Sequence, residues 1–105
     1  MDNTYRESDV YVFLRRYGVS LSEYGSSELG LHRGDAVAFI DLLGRVGRSP
    51  LGIEVWRRHG GGFSIDSLGG WYSEGTGVAA DLASARVFVS VGTLSDDDVV
   101  TVQFD

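Results

Sequence analysis

From Val10 onward, apolar residues recur in helical steps. Val10, Phe13, Leu14 and Tyr17 stand at i, i+3, i+4 and i+7, which puts them on one face of a helix. Thr4-Tyr-Arg-Glu7 has the layout of a capping box, and Ser8 offers a second cap. Gly18 follows the last apolar position, where a left-handed residue commonly closes a helix, so the pattern predicts a helix over about 5–17. Residues 18–32 hold no sustained period and read as a loop, with Leu21, Tyr24, Leu29 and Leu31 available to pin it to a core. A second helix carries Ala36, Phe39, Ile40 and Leu43 on its buried face and Asp35 in its first turn, where the helix dipole favours an acid. Gly44 weakens its last turn, Gly47 ends it, and Pro50 bars continuation.

The period then drops from 3.6 to 2. In Leu51-Gly-Ile-Glu-Val-Trp, the residues Leu51, Ile53 and Val55 share one face of a strand, and Gly52, Glu54 and Trp56 share the other. Phe63-Ser-Ile-Asp alternates again across the connection His59-Gly60-Gly61-Gly62. The expected hairpin turns Phe63 and Ile65 inward onto Ile53 and Val55, leaving Glu54, Trp56, Ser64 and Asp66 together on the outer face. The segment 78–91 is open between two readings. Val87-Phe-Val-Ser-Val favours a strand, whereas Val78, Leu82, Ala85 and Val89 form a helical stripe. Asp96-Asp97-Asp98 reads as a turn before a closing strand with Val100, Val102 and Phe104 on one face. The expected fold class is α+β in the order α-α-β-β-α-β. It has a three-stranded antiparallel sheet with the first strand central, helices packed on one face, and the other face partly open.

Composition narrows the function classes more than the fold. At 105 residues the chain fits one domain, 1–105, with no room for a second core. The absence of cysteine excludes disulfides and thiolate metal sites. The opening MDNTYRESD lacks the layout of a secretory signal, and no apolar run reaches membrane-spanning length, so the expected setting is the cytoplasm. The net charge of −6 is uneven: residues 51–105 carry three arginines against eight acids. That balance argues against nucleic-acid binding, which needs clustered Lys and Arg, and leaves basic partners open.

Candidate chemistry is sparse. A phosphate loop needs glycines between a strand and a helix, usually with a following lysine; here a strand follows and lysine is absent. An HGGG-type oxyanion loop needs a nucleophile elbow that the chain lacks. His32, expected at the start of the second helix, and His59, at a loop tip, have no metal-ligand spacing. Asp96, Asp97 and Asp98 lack the calcium-loop layout and read as an acidic turn or contact patch. An exposed tryptophan among acids resembles an interface anchor, so the Glu54, Trp56 and Asp66 face is the leading binding candidate. Trp71, after Gly69-Gly70, suits a plug fixing the end of the second strand to a helix. Tyr72 and Glu74 follow it toward the surface.

Taken in order, Tyr17-Gly-Val-Ser-Leu21, Asp35-Ala36 with Ile40-Asp-Leu-Leu43, Pro50-Leu-Gly-Ile-Glu-Val55 and Trp71-Tyr-Ser-Glu74 resemble the immunity protein 40 family of bacterial polymorphic toxin systems. The resemblance runs over about residues 10–90 and departs from the family pattern at Ile53, Leu29 and Leu68-Gly-Gly. It implies a helix across about 79–92 and a cytoplasmic protein that binds a cognate toxin domain stoichiometrically, with no catalytic residue, cofactor or metal. A basic nuclease is one such toxin. The contact residues expected on this reading are Glu54, Trp56, Asp66, Trp71, Tyr72, Glu74 and Asp96–Asp98. Two other classes stay open: a small acidic enzyme using Glu54 and Asp66 with His59, and a homo-oligomeric regulatory module using the open sheet face.

Overall fold

The computed structural model describes residues 6–91 and 94–105. In chain order the elements are α1 (Glu7–Tyr17), β1 (Val19–Ser20), a 3-10 turn (Ser22–Tyr24), β2 (Leu29–Gly30), α2 (Arg33–Arg45), β3 (Pro50–His59), β4 (Gly62–Tyr72), α3 (Val78–Val91) and β5 (Val99–Phe104). The fold is α+β. Its main sheet has the order β4-β3-β5 and is antiparallel throughout, with β3 central between its hairpin mate and the closing strand, as expected. No helix among the described residues is long and apolar enough to cross a membrane.

Thr4 of the expected capping box lies outside the described residues. α1 instead starts with the Arg6 amide donating to the Asp9 carboxylate at 2.8 Å. Gly18 closes α1, but not in the expected left-handed conformation: its φ is −74°. Close packing accounts for the glycine, because a Cβ there would lie 2.7 Å from Cβ of Leu29. α2 ends at Gly47, which does take a positive φ of 77°. The segment 78–91 is a helix, α3, with Ala85 and Val89 buried and Leu82 packed at the core's edge. Gly44 of α2 sits beneath Leu82, so the residue that weakens α2 also lets α3 approach.

The main core lies between the helices and one face of the sheet. Val10 of α1, Phe39, Ile40 and Leu43 of α2, and Ala85 and Val89 of α3 meet Ile53, Val55, Val100 and Val102 there. The opposite face carries a second cluster in which Trp56, Phe63 and Val99 are covered by Leu21, with Val19 and Tyr24 at its margin. The segment 18–32 is therefore a strap rather than a plain loop. β1 and β2 pair with each other through Val19↔Gly30 and Ser20↔Leu29. Leu31 then exchanges both backbone hydrogen bonds with Val100, at 2.8 and 2.9 Å, and so stitches the strap to the outer edge of β5. Leu21 and Leu31 are both fully buried, as their selection as pins anticipated.

The hairpin register corrects the expected inward placement of Phe63 and Ile65. His59 pairs with Gly62 around a two-residue Gly60-Gly61 turn, so Trp56 faces Ile65, Arg58 faces Phe63, and Val55 faces Asp66. Directly opposed residues share a face. Phe63 and Ile65 therefore join Trp56 on the strap side, while Ser64 and Asp66 lie on the side of Val55. A turn one residue longer or shorter reverses every such assignment, which is why alternation alone did not fix it. β4 is also longer than Phe63–Asp66. Beyond Asp66 it bulges through 67–70 and resumes with Trp71 opposite Ile53 and Tyr72 opposite Gly52. The bulge inverts the parity of β4, bringing Trp71 back to the helix side and placing Tyr72 on the strap side.

Because the strap completes the second cluster, Leu21→Ala should destabilise the protein by about 2–5 kcal/mol, a core-sized effect from a segment outside the main helices. Urea unfolding of the variant beside the parent measures it. A change within about 0.5 kcal/mol, the scale of a surface substitution, would show that the strap is not part of the cooperative core.

Candidate partner-binding face

On the strap side of the sheet, past the edge of the second cluster, five side chains from β3, β4, β5 and the strap converge. Glu54 of β3 stands opposite Thr101 of β5, and Gly52 opposite Gln103. Gln103 Nε2 donates to Glu28 Oε2 at 2.9 Å and lies 3.3 Å from Glu54 Oε1 and 3.2 Å from Thr101 Oγ1. The Thr101 hydroxyl reaches the same Glu54 oxygen at 3.4 Å. Glu28 is presented by the strap, its amide donating to Ser26 Oγ at 3.1 Å. Tyr72 completes the group. Gly52 has no side chain to hold its ring away, since a Cβ there would lie 3.1 Å from Tyr72 Cδ1, and Tyr72 remains 63% exposed.

The electrostatics of this cluster are unbalanced. One amide nitrogen, with two hydrogens, serves three oxygens, two of them on carboxylates. No cation among the described residues pairs with Glu28 or Glu54: the four ion pairs are Arg48–Glu7, Arg57–Asp66, Arg57–Asp98 and Arg86–Asp41. Two half-buried carboxylates bridged by a single donor have the chemistry to accept a guanidinium or ammonium group, with the exposed Tyr72 ring beside them.

The expected contact residues divide sharply. Glu54 and Tyr72 fall on this face, and Glu74 is exposed in the connection leading to α3. Trp56 points to the same side but is 6% exposed beneath the strap, so it is a core residue and not an exposed anchor. Asp66 lies on the opposite side of the sheet from Glu54 and pairs with Arg57 at 3.2 Å. The expected shared face of Glu54, Trp56 and Asp66 therefore does not form, and the two carboxylates proposed for acid–base work are separated by the sheet. Trp71 is the plug its position suggested: it packs on the main core, and its indole N–H donates to Ser84 Oγ of α3 at 2.9 Å. Asp96 and Asp97 are exposed in their turn.

Asp98 behaves quite differently from its two neighbours. It is buried and accepts from the Arg58 amide at 2.9 Å, the Ser95 amide at 3.0 Å and Arg57 Nη1 at 3.0 Å. Its carbonyl takes a hydrogen bond from His32 Nδ1, at the N-cap of α2, at 3.2 Å. Burial pushes the Asp98 carboxyl upward, but the hydrogen bonds outweigh it and hold the group below the ordinary carboxylate range. The bond to Asp98, and then that to Asp66, raises the Arg57 guanidinium. Asp98 is a structural clamp.

Glu28 and Gln103 were not singled out from sequence. The alternation of β5 carries a signal for Gln103, because Val100, Val102 and Phe104 facing the core put Thr101 and Gln103 on the other side. Glu28 sits in a segment without a period, and nothing local marks it. His59 is exposed at the hairpin tip, apart from this face. No group of three or more potential metal ligands occurs among the described residues. A groove of about 580 Å³ runs between α1 and α2 over Phe13 and Leu42, edged by Asp9, Arg16, Asp41 and Arg45. None of Glu54, Asp66 and His59 lines it. Comparison with family models, characterised proteins and solved structures finds no match to the chain.

The Asp98 clamp has a pH signature. A carboxyl lowered in the folded state contributes its stability fully above its unfolded pKa, and that contribution is lost as pH falls through the folded value. Asp98→Asn should cost about 2–4 kcal/mol near neutral pH, and its loss of stability below about pH 4 should be shallower than the parent's. Urea midpoints across the acid range measure both slopes. Parallel slopes would remove Asp98 from the acid response.

Proposed function

We propose that the chain is an immunity protein that binds a cognate bacterial toxin domain and blocks it by occupancy, without turnover and in the cytoplasm. The single structural observation that carries this reading is the Glu28–Gln103–Glu54 cluster, two carboxylates sharing one amide donor with no cation among the described residues paired to them. A basic partner side chain supplies what the cluster lacks, and the exposed Tyr72 offers aromatic area beside it. The ordered resemblance to the immunity protein 40 family supplies the biological setting. The net charge of −6 suits a basic partner such as a nuclease, through steering as well as contact. The contact set on this reading is Glu28, Glu54, Tyr72 and Gln103, with Glu74 and the Asp96–Asp97 turn as further exposed acidic groups. An enzyme built on Glu54 and Asp66 lacks support in the geometry, because these residues occupy opposite faces of the sheet.

The test is co-purification with, and protection of cells against, the toxin encoded beside this chain. The double variant Glu28→Gln/Glu54→Gln keeps the hydrogen-bonding shape and removes the charge. It should weaken toxin binding by about 10- to 100-fold, with a shallower dependence on salt. Titration calorimetry at two ionic strengths measures both effects. Full affinity in the double variant would remove this face from the interface, and absence of binding by the parent chain would overturn the functional reading itself.

A further inference from the structure

The two outer edges of the main sheet are finished differently. At the β5 edge, Leu31 takes up the outward-facing N–H and C=O of Val100. At the β4 edge, the strand Gly62–Tyr72 pairs with β3 alone among the described residues. The direction of its backbone groups follows from the clamp. The Arg58 amide donates to Asp98, at the start of β5, and so points away from β4. In an antiparallel pair such a residue faces one whose own N–H and C=O also point outward. That residue is Phe63, and two steps along is Ile65. Both therefore present backbone donors and acceptors at the rim of the sheet without a backbone partner among the described residues.

Exposed edges are usually blunted by charge, proline or a bulge. The bulge at 67–70 protects the far half of β4. The near half, Gly62–Asp66, has no proline and one charged residue, Asp66, whose carboxylate is held by Arg57. Ile65 on this stretch is 46% exposed.

We propose that Gly62–Asp66 pairs antiparallel with the same segment of a second copy of the chain, about a two-fold axis at Ser64, joining two sheets into one of six strands. The segment is self-complementary in that register. Phe63 meets Ile65 of the second copy in hydrogen-bonded pairs on both sides of the axis, so the outward backbone groups are satisfied reciprocally. Ile65 meets the rim of Phe63, whose ring is largely buried within its own cluster and carries the Arg58 guanidinium 5.0 Å from its centre. Asp66 falls opposite Gly62, so no like charges are opposed although each copy carries −6 overall. An unrelated basic strand from another protein gains little here, because the stretch offers no free carboxylate. Self-pairing is the occupant its chemistry fits, and it stands independently of the toxin-binding reading.

Sedimentation equilibrium of the full chain from about 10 µM to about 1 mM, the range for a small edge contact, should show a monomer–dimer equilibrium that tightens with salt as the like net charges are screened. Ile65→Lys places a charge against Phe63 of the second copy and should weaken the dimer by about tenfold or more while leaving the monomer's melting temperature unchanged. Amide exchange supplies a readout that does not depend on a variant. The Phe63 and Ile65 amides should gain protection as concentration rises, whereas neighbouring Ser64, bonded to β3, should not change. A monomeric mass throughout overturns the proposal. So does a dimer indifferent to Ile65→Lys, or one in which the Phe63 and Ile65 amides remain unprotected. Protection of those amides only when the toxin is added would assign the edge to that partner instead.

Discussion

The buried carboxylate of Asp98 holds the ends of the fold in register. It receives two backbone amides from different segments, Arg58 at the end of β3 and Ser95 in the turn, together with the Arg57 guanidinium. Its own carbonyl anchors the N-cap of α2 through His32. A buried carboxylate is costly unless hydrogen bonds compensate it, and here three donors do so at fixed positions. Those positions lock the start of β5 against the end of β3. Once that pair is set, Val100 faces outward for Leu31, and the strap has an edge on which to close.

The clamp and the strap together give the sheet two unlike faces. The helix side is a continuous apolar core. The strap side is divided: Leu21 and Tyr24 bury Trp56 and Phe63 at one end, while Glu54, Gln103 and Tyr72 lie beyond the cover at the other. The strap does more than hide apolar surface, because it also delivers Glu28 to the boundary. A segment without periodicity thereby supplies both the lid of the second cluster and half of the acidic pair. The candidate face follows from how far the strap reaches across the sheet.

Periodicity carried the fold a long way. The buried face of α2, the packing of Val10, Phe13 and Leu14 of α1, and the core-facing residues of β3 and β5 emerge as the side-chain pattern requires, although Tyr17 stays exposed and both strands are buried on their second face as well. What escaped were properties of counting and of distance. The run His59-Gly-Gly-Gly-Phe63 admits turns of different length, and a change of one residue sends Phe63 and Ile65 to the other side. Trp56 looked exposed because its cover comes from residues about thirty positions earlier, in a stretch with no pattern of its own. Asp98 resembled Asp96 and Asp97 in sequence and differs from them only in what folds around it. The candidate contact residues were accordingly half legible. Glu54 and Tyr72 stood out, whereas Glu28 acquires meaning only when the strap brings it beside Gln103.

The bulge in β4 has a consequence for how this chain can vary in length. Asp66 and Trp71 occupy neighbouring ladder positions although four residues lie between them, and the inserted count is what sends Trp71 to one layer and Tyr72 to the other. Loss or gain of a single residue in 67–70, where it is taken up by a shift of the ladder and not by the bulge, would exchange the two aromatics, driving a phenol toward the apolar core and an indole into solvent. A change of two residues would leave both where they are. Length change at 67–70 is then constrained by whether the bulge can absorb it while Trp71 stays opposite Ile53.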